Sequence, residues 1–313
     1  MRARGHKKKL VALALVFVGV GAQWNASRAS PLPVPPPFDG ALPAASPPAD
    51  MTMVRIDTGV THRSAAFAYR GGSWFDDRDF AMTAVLVKHP RGDVLIDTGF
   101  GKAVGEQLGL MPFWFRWTTS FSRTRSVAER FDEIGYDRSS LRAVLLTHAH
   151  WDHASGLGEL GATPVWVTAE EHRFVGDGGF LTAVARSAKN AKWEEYTFEG
   201  GTYLGFPKSH DVWGDGSIVV VPCPGHTPGS VVVFVTLPSE KRFVFVGDLV
   251  WQREGISERE ERPWFQRTFG DSDAAEVREN ILRVAALAAR FPELVIVPAH
   301  DARAFREIPE MAK

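Results

Sequence analysis

The chain has 313 residues, 36 Lys+Arg against 37 Asp+Glu, 10 His, one Cys and 44% hydrophobic residues, with a mean hydropathy of −0.12. That composition suits a globular protein with a sizeable core and excludes collagen-like, disordered and polytopic membrane classes; a lone thiol also excludes an internal disulfide framework and an all-Cys zinc site. The formal charge of −1 hides a partition: residues 1–30 hold six cations and no carboxylate, leaving 30 cations against 37 acids, a charge of −7, on the remainder.

The chain opens with a cationic stretch, Arg2 to Lys9, followed by 13 apolar residues from Leu10 to Ala22. At 1.5 Å per residue that run is too short for a bilayer core of about 30 Å, so the pattern predicts an export signal over residues 1–29, with an uncleaved anchor as the alternative. Ser27-Arg28-Ala29 and Val20-Gly21-Ala22 are the candidate cleavage triplets. No Cys stands near them for lipoprotein processing, and the expected location is periplasmic or secreted. Residues 30–52 form a linker whose stretch from Pro31 to Pro48 contains eight prolines; these favour extended geometry and read as a semi-rigid tether or a disordered start of the mature chain. One domain is expected over 53–313.

Along that domain short β-branched runs alternate with helical patterns. Strands are predicted at 84–87, 93–97, 143–146, 165–167, 218–221, 231–235, 242–246 and 294–297, each ending in a polar or Gly-containing turn. Helices are predicted over 126–134, stopped by Gly135, and over 272–291, with Ser272 as a possible cap and Pro292 after the end. The interleaving predicts an α/β class with buried sheets.

The chemistry concentrates at strand ends. Directly after the run 143–146 comes Thr147-His148-Ala149-His150-Trp151-Asp152-His153. Three imidazoles and a carboxylate within six residues would repel and lie poorly solvated unless a cation used their lone pairs, and they are the ligands that zinc and its first-row neighbours take. Three later segments repeat the arrangement: His226 in Pro224-Gly225-His226-Thr227-Pro228-Gly229, Asp248 in Val246-Gly247-Asp248, and His300 in Pro298-Ala299-His300-Asp301. Taken together, five His and two Asp form an inventory for two metals with a shared carboxylate and positions left for water and substrate. Cys223, three residues before His226, reads as a small buried filler.

This ordered set, preceded by Leu95-Ile96-Asp97-Thr98-Gly99, resembles the metallo-β-lactamase-fold hydrolase superfamily over most of Met53 to Lys313. The resemblance implies a four-layer αβ/βα sandwich with the metals at the edge between two sheets. It implies one metal, most simply zinc, held by His148, His150 and His226, and a second held by Asp152, His153 and His300, with Asp248 bridging. By the same likeness Asp97 supports the metal loop by orienting a ligand. Such a centre activates water, and Asp152 is the candidate to carry a proton to the leaving group.

Within that superfamily, secreted lactonase-like and organophosphate-hydrolase-like members are the most similar in pattern. Antibiotic-hydrolysing relatives carry Cys or Ser near the place of Asp248, glyoxalase relatives need a further C-terminal helical domain, and an acidic domain gives nucleic acid no electrostatic footprint. β-Lactamase or phosphotriesterase-type hydrolysis stays open as an alternative, as does a diiron redox or metal-binding role. Homoserine lactonases place a Tyr three residues after the bridging Asp, where this chain has Trp251. The run from Leu110 to Trp117 reads either as core packing or as a substrate-covering loop; Phe113, Trp114 and Trp117, with Trp151 and Trp251, are then candidates for an apolar pocket around a small-molecule substrate.

Overall fold

The computed structural model describes residues 27–312. The expected export signal lies outside the described residues except for Ser27, Arg28 and Ala29. Among the described residues twelve strands make two sheets. The first has seven, in the order β4-β1-β2-β3-β5-β6-β7: β1 (Thr52–Ser64), β2 (Asp77–Lys88), β3 (Asp93–Ile96), β4 (Phe121–Arg123), β5 (Leu141–Leu145), β6 (Pro164–Val167) and β7 (Lys192–Glu195). The second has five, in the order β12-β11-β10-β9-β8: β8 (His210–Asp211), β9 (Ile218–Pro222), β10 (Val231–Thr236), β11 (Arg242–Gly247) and β12 (Val295–Pro298).

Side chains alternate between the faces of a strand, so each strand sorts its residues into two layers. Val85, Val87, Val94 and Ile96 of the first sheet meet Val220, Val231, Val233, Val235, Phe243 and Phe245 of the second in one central core. Their neighbours Ala84, Leu86 and Leu95 face outward onto Val127, Ala128 and Phe131. On the far side Val219, Val221, Val232, Phe234 and Val244 pack on Val277, Ile281, Val284 and Leu287. Helix, sheet, sheet, helix is therefore the order of layers, as the resemblance implied.

The two helices read from the sequence form with small boundary shifts. Val127–Ile134 starts with a capping box, in which the Ser126 hydroxyl accepts from Glu129 N–H and the Glu129 carboxylate accepts from Ser126 N–H, and stops at Gly135 with φ 64°. Ala274–Arg290 is capped by Asp273 rather than Ser272: the Asp273 carboxylate accepts from the N–H groups of Ala275 and Glu276. The run 84–87 is only the end of β2, which pairs with the unpredicted β1 from Thr52↔Lys88 to Ser64↔Asp77.

The proline-rich stretch does not hang free. Leu32 N–H donates to Arg259 O at 2.9 Å, Ser46 N–H to Asp215 O at 2.7 Å and Arg242 Nη2 to Pro43 O at 2.8 Å. Phe38 meets Phe291 edge-on at 5.9 Å. Its apolar residues Leu32, Phe38 and Leu42 pack on the outer helical layer. Extended prolines lose little entropy on docking, which makes a proline strand a good strap. Among the described residues no helix is long and apolar enough to cross a membrane.

Candidate metal centre

Parallel pairing brings β3 beside β5 and β11 beside β12, so the carboxyl ends of these strands open at one edge, where ligand-bearing loops converge. His148 and His150 follow β5, and the short helix Trp151–Ala154 holds Asp152 and His153. From the other sheet, His226 follows β9, Asp248 follows β11 and His300 follows β12. Gly225 makes the turn before His226 possible: its φ is 127°, and a Cβ there would stand 2.6 Å from Val277 N.

All seven expected ligands come together. His148, His150, His226 and Asp248 form one group and Asp152, His153 and His300 a second, with the ligand atoms of each within 4.8 Å of one another. Asp248 faces both: its Oδ2 is 3.4 Å from His226 Nε2 and 3.9 Å from His148 Nε2, while its Oδ1 is 3.1 Å from His300 Nε2 and 3.3 Å from His153 Nε2. Asp152 Oδ2 is 3.5 Å from His300 Nε2.

The set fits divalent cations. Nε2 of His148, His150 and His153 and Oδ1 of Asp248 are buried without a hydrogen-bond partner, a costly state unless a cation takes the lone pairs. His150 Nδ1 and His226 Nε2 approach to 2.9 Å, which brings the rings of the two loops together at one point. Burial, reinforced by the neighbouring imidazoles, holds His148 and His150 well below the usual histidine range, so both offer neutral nitrogens. Burial alone would raise Asp248, but His300 and His153 hold it well below the usual carboxylate range. Asp152 is pushed up by burial, which His153 and His300 only partly oppose.

Three outer nitrogens are tied down. Asp97 Oδ2 accepts from His153 Nδ1–H at 2.8 Å, and its two oxygens accept from the N–H and hydroxyl of Thr147, both at 2.8 Å. Asp97 has φ 54°, a conformation that Asp tolerates better than most side chains. His300 Nδ1–H donates to Ala81 O at 2.9 Å. Three contributors escaped the sequence reading. Asp271 accepts from His226 Nδ1–H at 2.9 Å and is held by Arg262, which also donates to Asp248 O. Glu171, 1% exposed, accepts from Ala149 N–H and Thr227 Oγ1–H, each at 2.6 Å, and from Gly229 N–H at 3.1 Å. It thereby joins the loop of His148 and His150 to the loop of His226. All three are ordinary charged residues in sequence, and only the approach of distant loops gives them a task.

A cavity of about 150 Å³ opens above the centre and exposes His150, Asp152, His226, Asp248 and His300 at its base. Trp114, Trp151 and Trp251 line it as expected. Phe113 and Trp117 do not: they are 70% and 93% exposed, because on the one-and-a-half-turn helix Phe113–Thr118 it is Trp114 and Phe115 that turn inward. The rest of the wall comes from Phe67, Phe80, Phe180, Phe265 and Phe269, scattered over four segments, with Arg63 over the Phe67 ring at 4.8 Å. Trp251 stacks on Phe67 at 5.8 Å, and its indole N–H donates to Asp248 Oδ2 at 2.8 Å. It acts on the shared carboxylate as well as on the wall. Cys223 is buried in the outer core with its thiol pushed up to about 12 by burial, and it belongs to neither ligand group.

A family model of the metallo-beta-lactamase superfamily matches residues 78–300. The chain belongs to that superfamily. A probable metallo-hydrolase of Mycobacterium tuberculosis is 30% identical over 231 residues, covering 69% of this chain and 73% of that one. N-acyl homoserine lactonase AttM of Rhizobium radiobacter is 25% identical over 193 residues, 58% of this chain and 70% of its own. Among solved structures, an N-acyl homoserine lactone hydrolase with N-hexanoyl-L-homoserine at its metal center superposes with a TM-score of 0.65 at 16% identity, over 87% of this chain and 99% of its own. The dizinc quorum-quenching lactonase AidC superposes at 0.54 and 16%, over 81% and 88%. At those identities the structures show the shared sandwich, and the superfamily membership makes this chain a metallo-hydrolase.

Proposed function

We propose that this protein is an exported, binuclear zinc hydrolase that opens lactones or related esters carrying an apolar acyl or aryl arm. The observation that carries the reading is the shared carboxylate Asp248 at the base of an aromatic-walled cavity. The lactonase names of a curated relative and of several structural neighbours support it. His148, His150 and His226 would hold one ion and Asp152, His153 and His300 the other, with Asp248 between them. Zinc held there supplies a Lewis acid and an activated water at neutral pH.

The chain's own groups do the rest. The aromatic wall takes the apolar arm and excludes water from the ester, which strengthens every charge interaction at the base. Asp152, at the base of the cavity, is the carboxylate placed to accept a proton there and return it to the departing alkoxide oxygen. Trp251 holds Asp248 in place; its N–H is already committed to that carboxylate, so the polarising role that lactonases give to a Tyr phenol falls to the centre itself. The acidic domain favours a neutral small molecule over nucleic acid.

The test is the purified full chain, with metal analysis and a panel of lactones, aryl esters, phosphotriesters and β-lactams. The expected result is about two zinc per chain, rates rising with acyl length on lactones, and loss of both metal and turnover in the double variant His150→Ala with Asp248→Ala. Full turnover in that variant, or activity confined to β-lactams or phosphotriesters, sinks the reading. A visible diiron band would indicate redox chemistry instead.

A further inference from the structure

Glu260 is 1% exposed and belongs to neither ligand group of the metal centre. Its Oε1 accepts from the backbone N–H of Ser30 at 2.7 Å, and its Oε2 is buried with no partner at all. Its surroundings are acidic. Glu258 and Glu261 add to its field, and Arg70 is the cation that opposes them. Arg267 Nη1 and Arg278 Nε donate to Glu261 and Arg259 Nε to Leu32 O at 3.1 Å, and none of these donors reaches Glu260. Burial accordingly pushes the Glu260 carboxyl up to about 7. A buried carboxylate with one neutral amide donor and one bare oxygen lacks a cation in contact with it.

Ser30 is the first residue after the small-x-small triplet Ser27-Arg28-Ala29. We propose that the chain is cut between Ala29 and Ser30, and that the α-ammonium created at Ser30 is the missing counter-ion of Glu260. An endopeptidase of the class that cleaves after small-x-small sites adds water across the peptide bond. The C–N bond breaks, the hydroxyl stays on the Ala29 carbonyl carbon, and the Ser30 nitrogen takes up protons to become an ammonium. The same nitrogen that now gives Oε1 a single N–H then carries three donors and a full positive charge, enough to reach Oε2 as well. Its position is already fixed from the mature side, since Leu32 N–H donates to Arg259 O at 2.9 Å two residues on. A cut removes, among other contacts, the hydrogen bonds of Ser27 O with Gly71 N–H and of Arg28 O with the Arg70 guanidinium Nε. Ser27 is 7% exposed in the folded chain, so the cut precedes folding. The inference uses the export part of the reading above but not its catalytic part.

The experiment starts from the full chain expressed with export. Intact mass and N-terminal sequencing should give a product starting at Ser30; an uncut chain, or any other first residue, overturns the proposal. The processed protein is then exposed to cyanate, which carbamoylates unprotonated amines. An ion-paired ammonium should label at least about tenfold more slowly in the folded protein than in the same protein unfolded in denaturant, one unit of amine pKa or more. The variant Glu260→Gln should remove most of that protection. Equal labelling of folded and unfolded wild type overturns the ion pair without recourse to a variant. Lactone turnover is measured separately, so failure of the substrate reading leaves a distinct signature.

Discussion

Replacing Asp97 with Asn changes one oxygen to NH2 and leaves size and backbone preference almost untouched, since Asn accepts φ 54° as readily as Asp. In the native site Asp97 accepts three hydrogen bonds of 2.8 Å, two from Thr147 and one from His153 Nδ1–H. The amide oxygen can keep Thr147 N–H, and the Thr147 hydroxyl can turn to accept. His153 has no such freedom: its Nδ1–H meets an NH2, and the ring escapes only by moving its proton to Nε2. That nitrogen faces Asp248 Oδ1 at 3.3 Å and is the one a metal would use. Loss of an orienting partner of this kind weakens metal binding by about 10- to 100-fold, roughly 1.4 to 2.7 kcal/mol. Titration calorimetry of metal-free protein with zinc should show one equivalent near wild-type affinity and one weakened by that factor, with circular dichroism unchanged. Two equivalents bound within twofold of wild type would refute the role of Asp97 in fixing the His153 tautomer.

The other expectations concern separate groups. Trp251→Phe keeps the stack on Phe67 but removes the donor to Asp248 Oδ2; kcat should fall by about 10-fold, the effect of one lost hydrogen bond to a charged group, with KM little changed in steady-state assays. Burial pushes the Glu171 carboxyl up to about 7, above the ordinary glutamate range, so its stabilising influence is complete below the unfolded value and is lost as pH rises to about 7. That amounts to about 3 kcal/mol, and in urea unfolding Glu171→Gln should lose less stability than wild type over that interval. Trp114→Ala removes a wall residue that meets Phe269 at 5.7 Å and Phe180 at 5.7 Å; KM for long-chain lactones should rise several-fold while short lactones change little.

The parts legible in the sequence are those written in consecutive residues. His148 to His153 sit within six positions after an apolar run, and His226, Asp248 and His300 each follow a β-branched run, so strand ends and ligands could be read together. The alternation of β9 to β11 likewise announces buried sheets, because adjacent valines must face two different layers. Contributions that depend on distant loops meeting were silent. Asp271 finds His226 across 45 positions, Glu171 finds Thr227 across 56, and the wall is assembled from Phe67, Phe80, Phe180 and Phe269. Phe113 and Trp117 show the converse limit: aromatic density marked the right helix, but a helix this short shows no periodicity that could tell its inner face from its outer one. The proline stretch misled for another reason, since proline content reports stiffness and says nothing of whether a stiff segment finds a surface to lie on.

The division of the ligands between the sheets has a consequence for the life of the molecule. His148, His150, Asp152 and His153 hang from the first sheet, and His226, Asp248 and His300 from the second. Any cation bound between them works as a rivet through the sandwich, reinforcing the packed side chains and the few hydrogen bonds, such as His300 Nδ1–H to Ala81 O, that otherwise join the two halves. Occupancy at one hundred times the dissociation constant adds about 2.7 kcal/mol to the folded state, a large part of the margin by which a domain usually stays folded. Scarcity of metal would then do more than silence the enzyme: it would shorten the time the empty protein survives proteases.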